Sequence, residues 1–268
     1  MKTYALITGV FVVAVLQARA LPKQTQVKPT TSPSSDGAPV LQKGFVGSPE
    51  FKTAEGAFGA GTAFVVKLEG SPKPVLITAQ HIFGAAGGLK REIPSQELRG
   101  FVKKVSLADF LGNRPVDGGD CRYLPVTGGE GDQKTPDVVA FRLSAVGKFN
   151  PAVLATKNPE VDEPIWLVAS VQGEEGKTLL HRGVVAEVHG AWLRCKFDNG
   201  NLVLRGASGG PYLNAKGEVV GLHSGSFKDP GNVAGSVFSA EGILKALNIQ
   251  KDPKKDAAAQ PLSAEWSK

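Results

Sequence analysis

The stretch Gly206-Ala207-Ser208-Gly209-Gly210-Pro211, with the β-patterned run Glu218 to His223 after it, decides the fold. A serine in a glycine-rich turn can lead into a helix, within a sheet that alternates with helices, or into another strand. Two glycines and a proline directly after Ser208 make a poor helix start, so the next regular element is read as the strand at 218–223. The same small residues serve chemistry. Without side chains at 206, 209 and 210, a substrate carbonyl can come close to the backbone around the Ser208 hydroxyl.

Outward from this turn, Thr62 to Lys67, Pro74 to Thr78, Asp137 to Leu143, Ile165 to Val171, Gly183 to Val188 and Trp192 to Phe197 are further short β-patterned runs. Gly, Pro, Asn and Asp clusters divide them, and the 268 residues include 33 Gly and 18 Pro, as a turn-rich chain requires. No strand alternates regularly with a long helix, which disfavours a parallel sheet and leaves an all-β antiparallel sandwich or barrel. Asp198-Asn199-Gly200-Asn201 sits between two of the runs and carries the dipeptide that favours a tight hairpin. Near the end, Ser239 is placed to cap a short helix with Ile243, Leu244 and Leu247 at helical spacing.

The termini differ from this middle. Lys2, the apolar run Tyr4 to Leu16 and Ala18-Arg19-Ala20 make residues 1–20 a secretory signal, too short in its apolar part to span a bilayer. An exported protein, extracellular or periplasmic, is expected. Residues 21–43 are rich in Pro, Thr, Ser, Lys and Gln and form a disordered linker or pro-segment; residues 248–268 form a flexible tail, leaving 44–247 as the folded region. No added peptide-binding module is expected after residue 250.

Composition excludes other functions. The 31 basic and 25 acidic residues are interspersed, and removal of Lys2 and Arg19 brings the formal charge from +6 to +4, so no nucleic-acid partner is expected. Cys121 and Cys195 could pair in an oxidising compartment, but alternation in Leu193 to Phe197 puts Cys195 on an apolar face where a free thiol is ordinary. His81, His181, His189 and His223 are scattered and neither cysteine lies two residues from another ligand, so no metal or other cofactor is expected.

A serine hydroxyl becomes a nucleophile only beside a general base and N–H groups that hold a developing oxyanion. His81 ends the run Val75-Leu76-Ile77-Thr78-Ala79-Gln80, where a strand could deliver its imidazole to Ser208. Asp137 opens Asp137-Val138-Val139-Ala140-Phe141-Arg142-Leu143, a carboxylate at a strand start where it could orient the other ring nitrogen.

In the order His81, Asp137, Ser208, the motifs Thr78-Ala79-Gln80-His81, Asp137-Val138-Val139-Ala140 and Gly206 to Pro211 resemble those of the chymotrypsin-like (trypsin-like) serine proteases. Gln80, in place of the usual small residue, and the extra Val139 are departures that remove no catalytic group. The resemblance implies two six-stranded antiparallel barrels, about 44–145 and 146–247, with a short C-terminal helix. It also implies an endopeptidase acting on protein or peptide through an acyl-enzyme on Ser208; a monomer is expected. His81 would be general base then acid, Asp137 the orienting carboxylate, and the N–H groups of Gly206 and Ser208 the oxyanion hole. Ser224 matches the serine that bonds the aspartate in relatives.

Two other readings are weighed. Gly206 to Gly210 also fits the G-x-S-x-G pattern of α/β-hydrolase esterases, but those need a helix after the serine and an acid and histidine later in the chain. A protease-like binding scaffold would be expected to lack a triad member, and none is lacking.

The same resemblance bears on the residue before the scissile bond. Leu202 stands where trypsin-type relatives carry an aspartate, so a basic preference is not expected, and Ala207 replaces the aspartate that a new N-terminus engages in zymogen activation. His223 in Gly221-Leu222-His223-Ser224-Gly225-Ser226 resembles the histidine that meets the substrate carboxylate in bacterial glutamyl endopeptidases, and Ser226 matches a second hydroxyl donor. Val203 departs from that pattern and could narrow the pocket toward small aliphatic groups. His223 could equally serve only its strand neighbours.

Overall fold

The computed structural model describes residues 37–127, 136–229 and 231–248; the signal-like segment, most of the linker and the tail beyond 248 lie outside the described residues. The first half contains β1 (Val46–Thr53), β2 (Gly56–Gly59), β3 (Ala63–Val66), β4 (Val75–Thr78), β5 (Val102–Asp109), β6 (Val116–Leu124) and β7 (Val139–Leu143). Antiparallel pairing runs β1-β3-β4-β7-β6-β5, and β5 returns to β1 to close a six-stranded ring, with β2 attached only as a hairpin to the end of β1. The second half holds β8 (Pro164–Val168), β9 (Leu180–His189), β10 (Trp192–Phe197), β11 (Pro211–Leu213), β12 (Val219–Asp229) and β13 (Asn232–Ser239), closed in the order β10-β13-β12-β11-β8-β9. With β2 set aside, both rings follow one order: first, second, third, sixth, fifth, fourth. Closure leaves neither six-stranded ring an open edge; β2 alone keeps one.

Sequence explains the packing. The runs AFVV of β3 and VLIT of β4 are buried along their whole length, so both faces are covered and the residues are continuously apolar rather than alternating. β5, VKKVSLAD, instead alternates buried and exposed positions in most of its length. Phe51, Phe83 and Phe141 fill the first barrel with ring centroids 4.9 to 6.0 Å apart. Val185, Leu193, Phe197, Tyr212 and Val237 fill the second.

Two short helices complete the chain: α1 (Ser95–Phe101) between β4 and β5, and α2 (Ala240–Ala246) after β13. Ser239 caps α2 as expected, its Oγ accepting from the Gly242 N–H at 3.1 Å. The Ala246 carbonyl then accepts from the Thr127 N–H at 2.8 Å and from its hydroxyl at 3.1 Å, tying the helix to the first half.

The hairpin expected at 198–201 is a turn of another kind. Its Asn199 side chain accepts from the Asn201 N–H at 3.0 Å, but β10 before it pairs with β9 and β13, not with the next strand. The tight hairpin of this region is instead His189-Gly190-Ala191-Trp192, where Gly190 takes φ +57°. Cys121 and Cys195, whose pairing the sequence left open, are both free, on β6 and β10. Among the described residues no helix is long and apolar enough to cross a membrane.

Candidate active site

β4 and β7 run antiparallel with Thr78 opposite Val139, so the chain leaving β4 and the chain entering β7 lie at the same end of the first barrel. His81 follows in a short 3-10 turn, Gln80–Phe83, and Asp137 precedes β7 by two residues. The His81 N–H donates to Asp137 Oδ1 at 2.9 Å, and His81 Nδ1 lies 2.7 Å from Asp137 Oδ2. His81 Nε2 lies 2.8 Å from Ser208 Oγ, which comes from the second half of the chain. The side chains of His81 and Asp137 are 32% and 19% exposed, enough access for a substrate and enough cover to strengthen their bond. The hydrogen bond to Asp137 pushes the His81 imidazole above its ordinary value; burial opposes this, and the charges of Asp137 and Glu92 add to it.

Ser208 sits on a loop held from several sides. Gly209 N–H donates to the His223 carbonyl, and His223 N–H to the Gly210 carbonyl, each at 2.8 Å. Gly206 and Gly209 take φ of +93° and +81°, which side chains rarely adopt, so glycine is required at both. No described acceptor takes the N–H groups of Gly206 or Ser208. Ala207 is fully buried, with no charge to receive an N-terminus.

Ser224, on β12 where a bulge breaks the register with β13, donates to Asp137 Oδ2 at 2.5 Å, so the aspartate is gripped from both halves. Its neighbour His223 is turned into the second barrel, 2% exposed, with Nδ1 3.0 Å from the Tyr212 hydroxyl. Burial, and the charge of His81, lower its pKa to about 4, while Asp137 acts weakly in the other sense. The ring is therefore neutral near pH 7. Leu202 is buried, whereas Val203 and Ser226 are exposed. An open cleft of about 410 Å³ beside Lys43, Asp109, Arg114 and Lys148 contains none of these residues.

Sequence reasoning passed over two contributors. Gln80, noted only as a departure, donates through Nε2 to the Ile93 carbonyl at 3.0 Å and accepts from Ser95 Oγ at 3.2 Å, fastening the segment before α1 to the histidine turn. Thr62 bonds to both Gly206 and Ser208.

Paired antiparallel barrels of one strand order, with the serine, histidine and aspartate meeting between them, define the class: the fold is that of the chymotrypsin-like hydrolases. Residues 61–222 match the family described as trypsin-like peptidase domain, and the chain belongs to that family. Among solved structures, the protease Rv3671c from M. tuberculosis in its active form is 18% identical, with a TM-score of 0.51 over 96% of this chain and 97% of that one. The serine endoprotease from Yersinia pestis is 15% identical, with a TM-score of 0.51 over 76% of this chain, which spans 62% of that structure's length. At these identities the likeness is one of fold. No curated protein is similar enough in sequence to stand as a relative.

Proposed function

We propose that the protein is an exported serine endopeptidase that cleaves peptide bonds through an acyl-enzyme on Ser208. The observation that carries this is the continuous hydrogen-bonded series Ser208 Oγ, His81, Asp137, Ser224. Ser208 Oγ attacks the scissile carbonyl as His81 Nε2 takes its proton, and the imidazolium so formed is stabilised by the Asp137 carboxylate. The unbonded N–H groups of Gly206 and Ser208 receive the oxyanion, worth about 10²–10³ in turnover for each donor. His81 then returns the proton to the leaving amine, and water repeats the sequence to release the acid. In another serine protease, loss of the nucleophile alone cost about a million-fold in turnover. Ser208→Ala and His81→Ala are each expected to reduce casein cleavage to near background, and Ser208→Ala cleaving at the parent rate would refute the assignment. The signal-like residues 1–20 support export, and the secreted form is expected to begin at or beyond Leu21 by N-terminal sequencing.

For specificity, a preference for Glu before the scissile bond is supported by the neutral His223 ring. If the Tyr212 hydroxyl donates to Nδ1, the proton rests on Nε2 and becomes a donor for a substrate carboxylate. A charge-assisted bond of this kind is worth roughly 1.5–3 kcal/mol, or about ten- to a hundred-fold over Leu. A peptide-library digest checks it: equal cleavage after Leu, Val or Ala and after Glu removes the preference and leaves the nucleophile untouched.

A further inference from the structure

We propose that Thr62 is a positioning residue that aims the backbone donors around Ser208, an inference that rests on Ser208 being the nucleophile. Thr62 lies between β2 and β3, fully buried, and belongs to the first barrel, whereas the loop it holds belongs to the second. Its N–H donates to the Ser208 carbonyl at 2.8 Å, and its hydroxyl donates to the Gly206 carbonyl at 2.8 Å. Its own carbonyl accepts from the Thr78 hydroxyl at 2.8 Å, three residues before His81. One residue thus joins the end of the histidine's strand to both residues whose N–H groups face the oxyanion.

The geometry explains why such a link is needed. In a trans peptide the carbonyl of one residue and the N–H of the next share a plane and point in opposite directions, so the Ser208 N–H lies in the plane of the Ala207 carbonyl, between the planes of the Gly206 and Ser208 carbonyls. The plane that carries the Ser208 N–H is fixed through the Ala207 carbonyl by the Gly210 N–H at 2.7 Å, and the planes on either side of it are fixed by Thr62, through the Gly206 carbonyl by its hydroxyl and through the Ser208 carbonyl by its N–H. Gly206 has no side chain to restrain it and sits at φ +93°, so its peptide planes turn easily unless an outside group holds one of them. The Thr62 hydroxyl holds the plane that follows Gly206 at its carbonyl, and the Leu204 carbonyl holds the same plane at the Ala207 N–H, 3.1 Å away. The fit is close as well: a Cβ on Gly209 would run into the Thr62 carbonyl and the Thr78 hydroxyl.

A bond that only held the barrels together would affect stability, whereas a positioning role affects the transition state more than the bound substrate. Thr62→Val keeps the N–H and the branched shape and removes the hydroxyl; Thr62→Ser keeps the hydroxyl. The expected result for Thr62→Val is a kcat lower by about 10- to 100-fold with KM within about twofold, a partial version of losing a donor outright. Binding of a peptide boronic acid, whose adduct on Ser208 is tetrahedral, is expected to weaken by a similar factor. Thr62→Ser should restore kcat to within about threefold of the parent, because the hydroxyl is the group required. Parental kcat in Thr62→Val, or a Thr62→Ser as slow as the valine variant, overturns the proposal. If Thr62→Val does not fold, Thr78→Val carries the test, with a kcat about threefold or more lower expected from loosening Thr62 and an unchanged kcat overturning it. Ser208→Ala is assayed alongside: full activity there would remove the nucleophile assignment itself, whereas an inactive Ser208→Ala beside a fully active Thr62→Val removes only the role of Thr62.

Discussion

His81 makes opposite demands at the two ends of its titration. A proton acceptor must be neutral, but Asp137 favours the charged ring and raises its pKa above the ordinary 6.5. Activity should therefore rise with pH through a midpoint above 6.5, visible in the acid limb of kcat/KM, which reports the free enzyme. Asp137→Asn removes the largest cause of the shift and should move that midpoint down while lowering kcat by about 10⁴-fold, as loss of the aspartate charge does in a triad. An acid limb unmoved by the substitution would mean that His81 is not the titrating base. Stability runs the other way. Because the folded value is raised, the His81–Asp137 pair stabilises fully below 6.5 and loses its contribution as pH climbs through the raised value. The proposed mechanism thus uses the protonation state of His81 that this pair stabilises least. The meeting of His81, Asp137 and Ser208 was legible in sequence because each lies within a short local motif. Thr62 was not, since its partner Gly206 lies 144 residues away and a threonine at the start of an apolar run carries no mark of a distant bond.

Among the elements, β3, β4, β7, β8, β9, β10 and β12 were anticipated from apolar runs, while β1, β2, β5, β6, β11 and β13 were not. The missed strands share a cause: VGSPEFKT, VDGGDCRYL and NVAGSVFS contain glycine, proline or charge that weakens a local signal, and pairing in a closed barrel supplies what propensity lacks. β12 shows what a strand adds to its residues. Its bulge lets Ser224 reach Asp137 while adjacent His223 enters the second barrel. That burial has a measurable consequence. His223 is depressed from 6.5 to about 4, so the unfolded chain takes up a proton in this window that the folded one refuses, and stability falls as pH drops from about 6.5 toward 4. His181, also lowered by burial with Nε2 3.0 Å from the Ala169 carbonyl, acts in the same direction. The thermal midpoint should decline on acidification over that window, and less steeply in His223→Gln. Equal slopes for the two proteins would show that His223 is not a source of the acid sensitivity.

Across the whole molecule, the candidate site depends on how one barrel sits on the other. His81, Asp137 and Thr62 come from the first and Ser208, Gly206 and Ser224 from the second, so the bonds His81–Ser208, Ser224–Asp137 and Thr62–Gly206 cross the seam. Other links cross it too: Ala152 bridges to Val66 and Leu154 to Val219 along the connection between the barrels, and the end of α2 is tied to Thr127. More decisive is that the buried apolar residues of both barrels form one continuous cluster, from Phe45 to Ala246, so separating the barrels would expose apolar surface along with the site. Unfolding is therefore expected to be a single cooperative event. The tryptophans make this testable, because Trp166 and Trp192 both lie in the second barrel, and Trp266→Phe removes the third. In a urea titration of that variant, tryptophan fluorescence reports the second barrel, and labelling of Ser208 by a serine-directed phosphonate reports the junction. The two signals should be lost together, with one midpoint and one slope. Loss of labelling at a clearly lower urea concentration, with fluorescence still native, would show instead that the barrels part before either unfolds and that the seam, rather than the cores, limits the working range of the enzyme.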